Sequence, residues 1–181
     1  TVRVITLLQW GADPFGNPSD NNFSAMEIAL RHKLTELPKR LLCRDFTDDQ
    51  GKARLTKECR DRKNALGDTT LQMAIKHKGS LPFISWLIEQ GADLRSSDNG
   101  GNTILHTLVD TTYWDLFTDG ALRPLMEVRN NKQETPLLAA CQFKQAIKLM
   151  ELGADITLTD PEGNTILHRL VRMYLFPQER K

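Results

Sequence analysis

Apolar residues fall at helical spacing in short runs, each opened by a threonine. After Thr103 come Ile104, Leu105, Leu108 and Val109, and after Thr165 come Ile166, Leu167, Leu170 and Val171. That spacing predicts a helix with one apolar face. A second kind of run lacks the threonine: L-P-F-I-S-W-L-I-E-Q before Gly91, and A-I-K-L-M-E-L before Gly153. Each predicts a helix closed by a glycine in the left-handed conformation. The chain therefore reads as opening helices and second helices in alternation.

These runs recur with their connections. Residues 98–106 read D-N-G-G-N-T-I-L-H and residues 160–168 read D-P-E-G-N-T-I-L-H. Q-G-A-D (Gln90 to Asp93) precedes the first and L-G-A-D (Leu152 to Asp155) the second, at one fixed offset. Weaker copies are T-T-L-Q-M-A from Thr69, T-P-L-L-A-A from Thr135 and S-A-M-E-I-A from Ser24, the last preceded by W-G-A-D (Trp10 to Asp13). Thr69, Thr103, Thr135 and Thr165 stand 34, 32 and 30 residues apart. Ahead of the threonines, Gly101, Gly163 and Gly67 suit a turn that needs positive φ. Asn22 holds that place before Ser24, and Gln133 departs from the pattern. The threonines are predicted N-caps, and Pro136 suits a first helical position.

A period near 33, a T-P-L-H-x-A type of opening helix, a G-A-D after the second helix and a D-x-x-G-x-T turn resemble the ankyrin-repeat family. The resemblance spans residues 1–181 and is most specific after residue 65. It implies an all-α fold, an ankyrin-repeat solenoid of stacked helix-turn-helix units with β-turn or hairpin connections. Residues 1–181 form one domain on this reading. A partial repeat covers 1–14, and repeats lie near 15–43, 64–97, 98–128, 130–159 and 160–181. One helix pair cannot bury its apolar face alone, so neighbours must stack. The opening V-R-V-I-T-L-L-Q-W-G-A-D reads as the second helix of a repeat, so a fragment of a longer protein is expected.

Three departures stand out. Ser24 and Thr69 are too far apart, and the excess is a charged loop at 44–64. Thr111 to Leu125 lacks G-A-D, so a second helix displaced, shifted or interrupted at Asp119-Gly120 is expected. Few residues separate Ala140 from Lys144, which shortens the turn between helices.

Charge and chemistry narrow the function. With 24 basic and 23 acidic residues the net charge is +1, which gives no electrostatic reason for nucleic acid or an anionic membrane as partner. Residues 33–63 hold a basic surplus, read as a solvated loop or as docking for an acidic partner. No apolar stretch is long enough to insert in a membrane. The scattered Cys43, Cys59 and Cys141 point to a reducing, cytoplasmic setting, with Cys141 in the core. No C-x-x-C, H-E-x-x-H, G-x-x-x-x-G-K, G-x-G-x-x-G or G-x-S-x-G occurs, and the carboxylate pairs read as solvated. Neither a catalytic constellation, a metal site nor a cofactor is expected. His106 and His168 suit a metal or general base by type. The resemblance instead implies bonds to neighbouring turns and to the threonine hydroxyl. His32 and His77 read as surface groups or partner contacts.

The family binds other proteins through turn tips and the exposed side of the opening helices, which form a concave groove. Carried over by position, the tips include Leu66, Asp68, Asn99, Asn102, Lys132 and Glu134. The helix-side positions are Arg31, His32, Lys76, His77, Asp110, Thr111, Gln142, Phe143, Arg172 and Met173. Tyr113 and Trp114 suit either a binding hot spot or a plug over an apolar gap. The expectation is a non-enzymatic, monomeric module that binds another protein or peptide. The alternative is a regulatory or targeting segment of a larger enzyme, channel or host-directed bacterial effector.

Overall fold

The computed structural model describes residues 15, 24–42, 57–109, 111–140 and 142–175. The expected partial repeat 1–14, Cys43, Cys141, Asp110 and most of the charged segment lie outside these. So do the side chains of Cys59, Thr111 and Met173. Among the described residues every regular element is helical. The only strand-like pairings there are the isolated bridges Lys63–Thr69 and Thr159–Thr165. The chain divides into two compact units, Thr1–Asp93 and Leu94–Lys181.

In the first unit, α1 (Ala25–Arg31) packs on α2 (Glu36–Leu42), and α4 (Thr70–Lys76) packs on α5 (Leu81–Glu89). The pairs also meet like to like, α1 on α4 and α2 on α5. Sequence explains the ends. Ser24 caps α1 and Thr69 caps α4, each in a reciprocal capping box with Glu27 or Gln72. Lys33 and Lys78, both at φ 53, stop the two helices in the left-handed region. The Thr35 and Ser80 hydroxyls, at matching places in the two pairs, lie 2.9 Å apart. Between the stacked pairs Met26, Leu30, Leu71, Met73, Phe83, Ile84 and Leu87 are buried.

Part of the charged segment is ordered structure rather than loop. Lys57–Arg60 forms α3, and the Arg60 guanidinium donates to the Gln90 carbonyl at 2.8 Å. That bond satisfies a carbonyl left over at the end of α5. Replacing all of 44–64 with a flexible linker would remove it.

The second unit is less regular. α6 (Ile104–Thr107) stops after four residues, and Leu108 turns out of the helix at ψ 69. A 3-10 segment follows at Thr111–Leu116, then α7 (Asp119–Leu122) and a second 3-10 turn at Arg123–Leu125. The interruption expected at Asp119-Gly120 falls just before it, where Thr118 caps α7. Residues 136–139 form a single turn instead of a full opening helix, closed by Ala139 N–H donating to the Thr135 carbonyl at 2.8 Å. α8 (Phe143–Glu151) and α9 (Ile166–Leu175) complete the unit. Gly91 and Gly153 sit at φ 77 and 91 after α5 and α8, as their positions predict.

Candidate functional site

Among the described residues four tight turns carry candidate tips, and all four are built alike. Each begins with Asn or Asp and ends just before a threonine. Asn64 Oδ1 accepts the N–H groups of Leu66 and Asp68 at 3.0 and 2.9 Å. Asp98 Oδ1 accepts those of Gly100 and Asn102 at 2.9 and 2.8 Å. Asn130 Oδ1 takes Lys132 and Glu134 at 2.9 and 3.0 Å. Asp160 Oδ1 takes Glu162 and Asn164 at 3.1 and 2.8 Å. A side-chain oxygen in this place substitutes for a backbone acceptor and fixes the loop. The fourth residue of every turn has positive φ: Gly67, Gly101, Gln133 and Gly163. Gln133 thus adopts the conformation that its neighbours leave to glycine.

Neighbouring turns of the second unit are stitched together. Asn131 N–H donates to the Gly100 carbonyl at 2.9 Å, and its amide donates to the Asn99 carbonyl at 2.9 Å. Asn130 Nδ2 reaches Asn102 Oδ1 at 3.0 Å. Arg169 binds Glu134 at 2.6 Å, Asp160 at 3.0 Å and the Leu138 carbonyl at 2.7 Å. The D-x-x-G-x-T pattern already held Asp98 and Asp160, without a role for their side chains; the sequence reading missed Asn64 and Asn130, which stand in the same place five residues before Thr69 and Thr135, and it missed Arg169.

The candidate residues separate by exposure. Leu66, Asn99, Lys132 and Gln142 are exposed at tips or helix starts, as are Arg31, His32, Lys76 and Arg172 near helix ends. Asn102, Glu134 and His77 are half-buried. Asp68 is not a contact surface. It is buried, and its carboxylate takes the Lys76 ammonium at 2.5 Å, which engages Lys76 as well. Tyr113 and Trp114 are also buried, with Phe117, Leu122, Leu125 and Met126. Tyr113 and Trp114 lie in the 3-10 segment where regular helix is missing, so the structure gives them a buried place rather than an exposed one.

Phe143 is 52% exposed but belongs to another element than expected. It is the first residue of α8, with Gln142 as N-cap, so neither sits on an opening helix. Collapse of the opening helix to one turn at 136–139 brings the second helix forward in sequence.

The histidines are structural or peripheral in their bonding. His106 Nδ1 accepts from the Thr103 backbone N–H at 3.1 Å and lies 2.9 Å from its hydroxyl. Nε2 therefore carries the proton and donates to the Glu134 carbonyl at 3.1 Å. Burial lowers the pKa of His106. His168 repeats the threonine bond at 2.9 Å but is exposed. His77 is also lowered by burial, opposed by Glu27 at 3.9 Å. Burial alone would raise the Asp160 carboxyl. The N–H of Asn164 and the Arg169 guanidinium instead hold it down to about 2.

The signs of these shifts predict acid sensitivity in two stages. A histidine with a lowered folded pKa takes up its proton first in the unfolded chain. Its contribution is complete above about pH 6.5 and is lost as pH falls below that. Asp160 contributes above about pH 4, and that is lost as pH falls towards 2. Protection of the amides across 98–140, taken as exchange relative to the intrinsic rate at each pH from 8 to 3, is expected to fall below pH 6.5 and again below pH 4. In His106→Gln the first step should shrink, and in Asp160→Asn the second. An unchanged profile in both variants would show that other groups control acid stability.

No group of three or more potential metal-ligating side chains occurs among the described residues, and no described helix is long and apolar enough to cross a membrane. No protein-family model matches the chain. The chain is similar to phosphocholine transferase AnkX of Legionella pneumophila subsp. pneumophila, at 29% identity over 113 residues. The match takes in 58% of this chain, which spans 12% of the length of AnkX.

Proposed function

We propose that the chain is a non-enzymatic protein-binding segment built of ankyrin-type repeats that stack as a solenoid. The carrying observation is the contrast within the four turns. Their Asx anchors and left-handed residues repeat, while the outward pairs between them differ: Ala65-Leu66, Asn99-Gly100, Asn131-Lys132 and Pro161-Glu162. A constant rigid loop with a variable tip is what recognition needs, since pre-ordered loops lose little entropy on binding. Leu66, 65% exposed, is the apolar anchor of the first unit, and Lys132 is the cationic tip of the second. The partner is a protein or peptide that offers a tip its complement, an apolar group for Leu66 or an acid for Lys132.

The test is capture from cell lysate by the intact chain and by Leu66→Glu/Lys132→Glu. Both side chains point into water, so stability should change by less than about 0.5 kcal/mol. Capture of the specific partner is expected to fall at least tenfold. Equal capture by the two proteins would refute binding through the tips.

A second reading follows from the match to a phosphocholine transferase. The repeats would then be a targeting or regulatory segment of a larger enzyme, including a host-directed bacterial effector. Binding through the tips serves both readings, and the sequence flanking this segment in its parent protein separates them.

A further inference from the structure

The two opening helices of the first unit end in the same kind of tripeptide. α1 runs out through Arg31-His32-Lys33 and α4 through Lys76-His77-Lys78. Lys33 and Lys78 are exposed, and both have φ 53. The bonds around them match. Lys33 N–H donates to the Leu30 carbonyl at 2.9 Å and Leu34 N–H to the Ala29 carbonyl at 3.1 Å. Lys78 donates likewise to Ile75 at 3.0 Å and Gly79 to Ala74 at 2.7 Å. Such a closing turn ordinarily puts glycine at its left-handed position, where a side chain is strained. Gly91 and Gly153 hold that position after α5 and α8. Lysine twice in a place that glycine fills with less strain points to a use for the side chain.

The two turns lie side by side. The Thr35 and Ser80 hydroxyls, two residues past each lysine, are 2.9 Å apart, and a Cβ on Gly79 would lie 3.5 Å from Leu30 Cδ2. Leu34 and Leu81, next to those hydroxyls in sequence, are 42% and 44% exposed. No acid occurs from Ile28 to Thr35 or from Thr69 to Ile88. The nearest carboxylates are engaged. Glu27 accepts the Ser24 N–H at 2.9 Å and lies 3.9 Å from His77. Asp68 holds Lys76 at 2.5 Å, which turns that ammonium back towards the tip. Glu36 pairs with Lys39 at 3.4 Å. The edge therefore presents two exposed leucines beside the cations Arg31, Lys33 and Lys78.

We infer that this edge docks an extended acidic segment of a partner protein, with carboxylates three residues apart and an apolar side chain between them. Packed helices stand about 8–10 Å apart. Residues three apart in a polyproline II segment are separated by about 9 Å. One carboxylate then meets Lys33 and the next Lys78, while the side chain between them reaches Leu34 and Leu81. The chain's net charge of +1 gives no long-range attraction for a polyanion. A local match of two charges around an apolar contact fits a peptide better than RNA or an anionic lipid surface. The edge is distinct from the tips. Lys33 and Lys78 follow the C-terminal ends of the opening helices, whereas the tip turns precede N-terminal ends.

The probe is a fluorescent peptide of four Glu-Leu-Pro repeats, its anisotropy followed as the intact chain is added at low salt. Saturable binding is expected, weakened roughly tenfold or more in Lys33→Gly/Lys78→Gly. The melting temperature of that variant should hold or rise, because glycine relieves the left-handed strain. A Gln-Leu-Pro peptide should bind roughly tenfold more weakly or worse, and Leu66→Glu/Lys132→Glu should bind the acidic peptide as the parent does. Absence of saturable binding overturns the inference, as does equal binding by the lysine variant or of the glutamine peptide. A fall in melting temperature of about 5 °C or more in Lys33→Gly/Lys78→Gly does so too, since the lysines would then serve the fold. Tighter binding of phosphatidylserine vesicles or of single-stranded RNA than of the peptide, lost in the same variant, would give the edge to another polyanion and overturn it as well. Capture through Leu66 and Lys132 does not use this edge, so the two readings fail separately.

Discussion

Gly101→Ala is expected to be severely destabilising, at a cost on the order of 3 kcal/mol to the second unit. Gly101 has φ +76, and a Cβ there would lie 2.6 Å from Asn131 Oδ1 and 2.8 Å from the Asn131 backbone nitrogen. Two penalties add. An alanine in the left-handed region costs about 1–2 kcal/mol. The clash is with backbone, which cannot rotate away, and relieving it parts the bonds from Asn131 to Gly100 and Asn99. Gly163 gives the control. It has φ +81 in the same turn, with no atom within 4 Å of its would-be Cβ, so Gly163→Ala should carry the strain alone. In a unit of this size the difference amounts to a gap of roughly 5–15 °C between the two melting temperatures. Gln133→Gly should move the other way by up to about 1 kcal/mol, since it releases the strain at φ 61. If Gly101→Ala and Gly163→Ala melt together, the contact between the 98–102 and 130–134 turns does not support the unit.

The legible parts of the structure are those that one residue decides locally. A glycine before a capping threonine is demanded by backbone sterics and by orphan N–H groups, so Gly67, Gly101, Gly163, Thr69, Thr103 and Thr165 could be read directly. The rest depended on partners distant in sequence. The apolar spacing at Ile104, Leu105, Leu108 and Val109 reports burial, and Leu108 is indeed 0% exposed. It does not report helix, which stops at Thr107. Phe143 was put on the wrong element for a related reason. Periodicity marks which residues share a face, and it cannot say whether a shortened repeat has lost its first helix or its second. Tyr113 and Trp114 are buried in a 3-10 segment that packs on α8, a helix distant in sequence, and no local pattern encodes that. The Asx anchors were half read: the D-x-x-G-x-T pattern includes Asp98 and Asp160, while Asn64 and Asn130 at the same place were overlooked. Their chemistry is local, but their role shows only when the four turns are compared.

His106→Ala and His168→Ala should differ, although the two histidines end identical tetrapeptides. His106 is buried and uses both ring nitrogens, one for the Thr103 N–H and one for the Glu134 carbonyl. Alanine would strand that donor and that acceptor in the interior, costing about 1–3 kcal/mol. It would also leave a cavity between two turns that are otherwise tied at their tips. His168 is exposed, and its described bonds are to Thr165 alone, so water can replace the ring. The sequence suggested a buried partner at both places. The structure reduces the expected loss at His168 to about 0.5 kcal/mol, a surface change. Urea unfolding of the two variants measures the contrast directly. Amide exchange should localise it, with protection lost across 103–106 and 130–135 in His106→Ala and only at the start of α9 in His168→Ala. Equal losses would mean that α9 is covered in solution as α6 is. A negligible loss at His106 would mean that the bond across to Glu134 contributes nothing to stability.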